Sequence, residues 1–176
     1  MTKQELKNCI DTYGRDIYSF CRHVTGNVQE AEDLYQDTWL KVVELLETID
    51  STGNVKSFCL SVALRLWKNK KRKFAWRMRI AEIQTSDTEV GEEYLRENGI
   101  SFEEHVLEQE RDRIVRQAVA GLPERLKTIV LLYYMEELSL AQIAEIEGIP
   151  EGTVKSRLYQ ARKVLGKKLE VVLNEK

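Results

Sequence analysis

Apolar residues recur along most of this chain at the three-and-four spacing of an α-helix, and no run alternates as a strand would. Leu6, Ile10, Tyr13, Ile17, Phe20 and Val24 predict a helix from about Gln4 to Val24, with Gly14 as a candidate break and Gly26-Asn27 as a turn. Ala31, Leu34, Tyr35, Thr38, Val42, Leu45 and Ile49 form the inward stripe of a second helix, from about Val28 to Glu47. After a loop at Asp50–Asn54, a third helix runs from about Val55 to about Phe74, with Phe58, Val62 and Leu66 inward and Cys59 as a further candidate. The period then lapses. Residues from Glu82 to about Ile100 are acidic, carry turn signals at Thr85-Ser-Asp-Thr88 and Asn98-Gly99, and read as a linker, largely disordered on its own. Helix returns from Phe102 to Gly121, with Val106, Ile114, Val115, Ala118 and Val119 inward. Gly121-Leu-Pro123 breaks it, and Pro123 starts another helix through Ile129, Val130, Leu132, Tyr133 and Tyr134, which ends in a turn at Met135-Glu-Glu137.

The segment from Leu138 to Arg162 is two short helices around one glycine. Ser139 suits the N-cap of the first, and Leu140, Ile143 and Ala144 give it one apolar face. Gly148 suits a left-handed C-terminal cap, and Pro150 the start of the next helix, where its missing N–H costs little. Val154, Leu158, Ala161 and Leu165 share one sector of that helix, while Lys155, Ser156, Tyr159, Arg162 and Lys163 lie opposite. A short scaffold helix, a tight turn and an outward basic and polar helix make a helix-turn-helix whose exposed donors suit base edges and phosphates. A plain helical hairpin could share the glycine turn, but would not usually clear acids from one face in a chain of net charge −2.

That net charge hides segregation. Arg65, Lys68, Lys70, Lys71, Arg72, Lys73, Arg77 and Arg79 run without an acid, whereas Glu82 to Asp112 is strongly acidic. Trp67, Phe74 and Trp76 sit among those bases, a mixture that suits single-stranded nucleic acid through ring stacking and phosphate contacts, although Trp67 could equally be core. On the second helix, Leu40 and Val43 lie among Glu32, Asp33, Gln36, Asp37 and Glu44 on the face opposite the inward stripe. An apolar spot rimmed by acids reads as a docking surface for a basic protein partner, against the alternative of a solvated face with scattered aliphatics.

The 176 residues, 43% hydrophobic and 32% charged with two prolines, allow one ordinary domain or two small helical ones. No apolar run approaches the roughly 20 residues of a membrane helix, and the N-terminus is not a signal peptide. Cys9, Cys21 and Cys59 are unclustered; Cys21 with His23 could be half a metal site, but no second close pair follows, and buried free thiols are the reading preferred, with no metal. His23 and His105 are isolated and no glycine-rich phosphate loop appears, so an enzyme finds little support.

Four blocks carry a family pattern: Ala31-Glu-Asp-Leu-Tyr-Gln-Asp-Thr-Trp-Leu40, Lys56-Ser-Phe-Cys-Leu-Ser-Val-Ala63, Leu122-Pro-Glu-Arg, and Gly152-Thr-Val-Lys-Ser-Arg-Leu-Tyr-Gln-Ala-Arg162. In this order they resemble bacterial RNA polymerase sigma factors of the extracytoplasmic-function (group IV) type, over nearly the whole chain except the linker. The resemblance implies an all-α fold of two small domains, sigma-2 over 1–79 and sigma-4 over 105–176, joined by a flexible acidic linker over 80–104 that would run through the RNA exit path. It implies no catalysis and no cofactor. Core RNA polymerase would be bound through Glu32, Asp33, Gln36, Asp37, Leu40 and Val43. The −10 element would be melted and read as single strand by Lys56, Ser57, Arg65, Trp67, Lys68, Asn69, Arg72 and Lys73. The −35 element would be read in the major groove by Thr153, Lys155, Ser156, Arg157, Tyr159, Gln160, Arg162 and Lys163. Arg65, Asn69 and Gln160 depart from the residues common in the family, so base preference is expected to differ there; Gln can bond adenine bidentately. An anti-sigma factor, often membrane-anchored, is a further expected partner of a cytoplasmic protein that serves a stress or envelope response. The alternative is a stand-alone helix-turn-helix regulator that touches DNA only through its second half.

Overall fold

The computed structural model describes residues 1–49, 53–84 and 106–174. Seven α-helices are described: α1 (Lys3–Thr25), α2 (Val28–Glu44), α3 (Val55–Gln84), α4 (Val106–Ala120), α5 (Glu124–Val130), α6 (Leu140–Glu147) and α7 (Glu151–Asn174), with no strand among the described residues. Part of the loop expected at Asp50–Asn54 and the expected linker from residue 85 onward lie outside the described residues.

Local chemistry sets several helix ends. Thr2 caps α1 in a reciprocal box with Glu5, and Gly26, at φ 73°, turns the chain after it. Asn27 then caps α2 by accepting from the Glu30 N–H. Ser139 and Gln142 form a second capping box at α6, which ends at Gly148 with φ 67°. Both glycines stand where a side chain would be strained.

The helices pack as two units. In the first, Leu6, Ile17, Phe20 and Val24 of α1 meet Ala31, Leu34 and Val42 of α2 and Leu60, Ala63 and Leu64 of α3, all buried in one cluster. Trp39 is also buried, at 9% exposure, and stacks edge-on with Tyr35, which does the same with Tyr18. Sequence reading had left Trp39 off the inward stripe; an indole at the stripe's margin can still be drawn in by neighbouring rings. In the second unit, α7 lies against α5 and α6, with Val154, Leu158 and Ala161 buried. Leu122, Leu126, Val130 and Ala161 form a smaller cluster. Ile129, Leu131, Leu132 and Ile143 of the second unit join the core of the first, so the two units share one apolar junction.

Three expectations are corrected. Helix α3 continues to Gln84, past the end expected near Phe74 and through residues 80–84 of the expected linker. Good helix formers sustain it there, since Ala, Arg, Met, Glu and Gln supply seven of residues 75–84 and neither Gly nor Pro intervenes. Val115 is not inward but 47% exposed, while Ala118 of the same helix is buried. The helix after Pro123 does not run evenly to Tyr134: Leu131–Met135 is π-helical. The Glu136 N–H reaches back five residues to the Leu131 carbonyl, and the Leu138 N–H to that of Leu132. The wider turn ends at Glu137, a non-glycine residue at φ 53°.

Candidate nucleic-acid and docking interfaces

Three faces of the molecule carry the residues expected to act. The first is the outer side of α2. Leu34, Thr38 and Val42 are buried, and the Thr38 hydroxyl donates to the Leu34 carbonyl, which turns the opposite side outward. Glu32, Asp33, Gln36 and Asp37 are exposed. Leu40 at 63% and Val43 at 47% exposure lie among them. The carboxylates and aliphatics of this strip have no packing duty within the chain, and the whole expected docking set is brought together.

The second face is α3. Lys70, Lys71, Arg72, Lys73, Phe74, Trp76 and Arg77 are exposed over two consecutive turns, and Arg72, Lys73, Trp76 and Arg79 line a shallow groove of about 250 Å³. Arg65 is exposed, and Arg72 Nη2 donates to Asn69 Oδ1 at 3.3 Å. Other members of the expected −10 set are engaged elsewhere. Trp67 is only 3% exposed and its Nε1–H donates to Glu124 Oε1 at 2.6 Å. Lys56 Nζ lies 2.7 Å from Asp16 Oδ2 and 2.9 Å from Glu136 Oε2. Lys68 Nζ lies 2.6 Å from Glu147 Oε2. The Ser57 hydroxyl is buried with no hydrogen-bond partner among the described residues. Glu124, Glu136 and Glu147 all belong to the second unit, so these bonds cross between the units. The side of α3 toward α6 lines a cleft of about 700 Å³, with Asn54, Arg65 and Asn69 opposite Gln142 and Glu145.

The ion pair at Lys56 shows how burial and charge compete. Burial lowers the Lys56 pKa, yet bonds to Asp16 and Glu136 outweigh it and hold the ammonium above its usual range. For Glu136, with 2% of its side chain exposed against 21% for Lys56, desolvation wins over the lysine and the carboxyl is raised above its usual range. Sequence reasoning missed all three glutamates because each is a single acid in a different element, without the run of like charge that marks a patch.

The third face is α7. With Val154, Leu158 and Ala161 buried, Lys155, Ser156, Tyr159, Gln160, Arg162 and Lys163 are exposed, and Thr153 and Arg157 are half-buried. Tyr159 is 70% exposed, unusual for an aromatic without a partner surface. Lys155 pairs with Glu151 one turn earlier at 3.0 Å, an exposed contact of about 0–1 kcal/mol that DNA can displace. Arg162 is held from an unexpected side. Its Nε–H donates to the Tyr134 hydroxyl at 2.7 Å, and the guanidinium lies 5.7 Å and 5.9 Å from the ring centres of Tyr134 and Tyr133. The π-helical turn presents those two tyrosines, and nothing in the apolar period marked it.

Comparison with known families matches both units. Residues 9–77 match sigma-70 region 2, and residues 112–165 match sigma-70 region 4. The chain is 30% identical to the ECF RNA polymerase sigma factor SigW of Bacillus subtilis, over 91% of this chain and 86% of that protein. It is 31% identical to the RNA polymerase sigma factor SigV of the same organism, over 93% and 90%. The chain belongs to the sigma-70 family, among the extracytoplasmic-function RNA polymerase sigma factors. In fold it is similar to the sigma factor RpoE in its complex with the anti-sigma factor NepR from Bartonella quintana, with a TM-score of 0.73 at 24% identity over 94% of this chain and 96% of that one. The stand-alone regulator, the other reading of the helix-turn-helix, leaves the region 2 match without a role. Sigma factors of this family are specificity factors for transcription initiation, and the four sequence blocks that suggested the family fall in the two matched regions.

The cysteines fit the core. Cys9, Cys21 and Cys59 are free and buried. Burial pushes the thiols of Cys21 and Cys59 up to about 12.

Proposed function

We propose that this sigma factor docks on core RNA polymerase through the outer face of α2, opens and reads the −10 element as single strand with α3, and reads the −35 element as duplex with α7. The observation that carries the reading is the strip on α2, where Leu40 and Val43 are exposed among Glu32, Asp33, Gln36 and Asp37 on a helix whose other side packs into the core through Ala31, Leu34, Thr38 and Val42. A face of that kind suits a basic protein surface and has no use in a protein that binds DNA alone. The −10 set is Lys56, Ser57, Arg65, Trp67, Lys68, Asn69, Arg72 and Lys73; the −35 set is Thr153, Lys155, Ser156, Arg157, Tyr159, Gln160, Arg162 and Lys163. The docking and −10 sets belong to a unit over 1–79, the −35 set to one over 105–176, and residues 80–104 connect them.

The protein works in the cytoplasm, where polymerase and promoter DNA meet, and among the described residues no helix is long and apolar enough to cross a membrane. Its chemistry is recognition, with no covalent step. An anti-sigma factor belongs to this reading, since the similarly folded sigma factor RpoE was solved in complex with the anti-sigma factor NepR. Transcription from fragmented genomic DNA by core polymerase, with and without the purified chain, tests the proposal. Discrete start sites that appear only with the chain are expected; their absence across the genome would refute it.

A further inference from the structure

We infer that Cys9 and Cys59 are a reversible oxidation site, at which a hydroperoxide converts the two thiols into a disulfide that staples α1 to α3 inside the first unit. The inference stands apart from the proposed function, since docking and DNA reading leave both thiols unused.

The two sulfurs come together from helices far apart in sequence. Cys9 lies on the buried side of α1 with Leu6, and Cys59 on that of α3 with Leu60 and Ala63, and all five residues belong to one apolar cluster. There the Cys59 thiol donates a hydrogen bond to the Cys9 sulfur, so the pair is in contact before any oxidant arrives. Cys21 cannot take the place of Cys59. A disulfide asks for Cα atoms within about 7 Å of each other. Cys21 is twelve residues further along α1, about 18 Å from Cys9 at the helical rise.

The paired thiols have different roles. Cys59 has no exposed surface, whereas Cys9 keeps 6% and so meets a water-sized oxidant first. Burial raises the Cys9 thiol, and the bond it accepts from Cys59 favours its thiolate and works against that rise. Cys59 is pushed up to about 12 by burial and stays a thiol. Cys9 is therefore the attacking sulfur and Cys59 the resolving one. The Cys9 thiolate attacks a peroxide oxygen; the O–O bond breaks, the alcohol or water leaves, and the sulfur becomes a sulfenic acid. The Cys59 sulfur then attacks the Cys9 sulfur; the S–O bond breaks, the S–S bond forms, and the oxygen leaves as water with the Cys59 proton. In sum, two thiols and one hydrogen peroxide give one disulfide and two waters. Without such a neighbour a sulfenic acid goes on to the irreversible sulfinic acid, so the pair protects the core as well as linking it. The link encloses the whole of α2, and a cross-link over so long a loop restricts the unfolded chain most.

The test treats the full folded chain with hydrogen peroxide, maps its peptides without reduction, and melts oxidised and reduced samples side by side. One intramolecular disulfide between Cys9 and Cys59 is expected, with Cys21 left as a thiol. Tm should rise by at least about 5 °C on oxidation and return to the reduced value after dithiothreitol. Cys9→Ala and Cys59→Ala should each abolish the rise and Cys21→Ala should keep it, each variant being compared with its own reduced form so that lost packing cancels. Cys59→Ala should also collect sulfinic acid at Cys9. Wild-type Cys9 that stays a thiol or goes to sulfinic acid overturns the pairing. A disulfide that takes in Cys21, or that forms only in urea, overturns it too. A Cys9–Cys59 bond that leaves Tm unchanged or lowers it overturns the staple.

Discussion

At the scale of single residues, the exposed face of α7 is where the proposed function places specificity. Lys155→Ala should weaken binding to a −35 duplex by about 1–3 kcal/mol and relax preference at one base pair, measured by titrating single-base variants of the duplex; a uniform loss across them would make Lys155 a phosphate contact instead. Arg162 is set by Tyr134, whose hydroxyl takes one of its five donors and leaves the others for DNA. Tyr134→Phe should therefore lose part of what Arg162→Ala loses, and adding it to Arg162→Ala should cost nothing more, a double-mutant cycle being the check. The thiols follow from burial. With pKa values near 12 in the folded chain against about 9 when exposed, Cys21 and Cys59 hold their protons more tightly when folded, so their contribution to stability is full below about pH 9 and declines as pH rises toward 12. Both should resist iodoacetamide at pH 8 until the chain unfolds, as mass spectrometry of the alkylated peptides would report. The outward residues of α7 were legible because a strict buried stripe leaves the rest no choice; the Tyr134–Arg162 contact was not, because it joins residues of different helices across a turn whose width no periodicity encodes.

At the scale of elements, α2 has a packed side and an exposed side, and the proposed function assigns docking to the exposed one. Leu34 and Leu40 are the same residue type at 3% and 63% exposure. Leu34→Ala should cost about 2–5 kcal/mol of stability. Leu40→Ala should stay within about 0.5 kcal/mol in thermal melting and show its effect only on polymerase binding. An equal loss of stability from both would place Leu40 in a core. The caps at Ser139 and Gly148, the turn between α6 and α7, and the stripes of α1 and α2 were all readable, since local chemistry alone selects them. The length of α3 was underestimated because residues 70–77 are exposed and carry no regular apolar stripe to count, while many of the residues that follow favour helix.

At the scale of the whole molecule, the chain joins two recognition units whose surfaces oppose each other in sign. The acids seen against Lys56, Trp67 and Lys68 are Glu136, Glu124 and Glu147, single residues of the second unit, while most of the acidic stretch after Glu82 lies outside the described residues. Tertiary contact between units depends on which isolated residues come together after folding, and one sequence holds no signal for it. The α2 strip proposed to dock polymerase stays exposed while the two units are in contact. The most direct test is the binding of purified chain to core RNA polymerase, wild type beside Asp33→Lys/Asp37→Lys, with circular dichroism to confirm equal folding. Tight binding by the wild type and its loss on charge reversal are the predicted result; no binding by the wild type, or equal binding by both, would contradict the account.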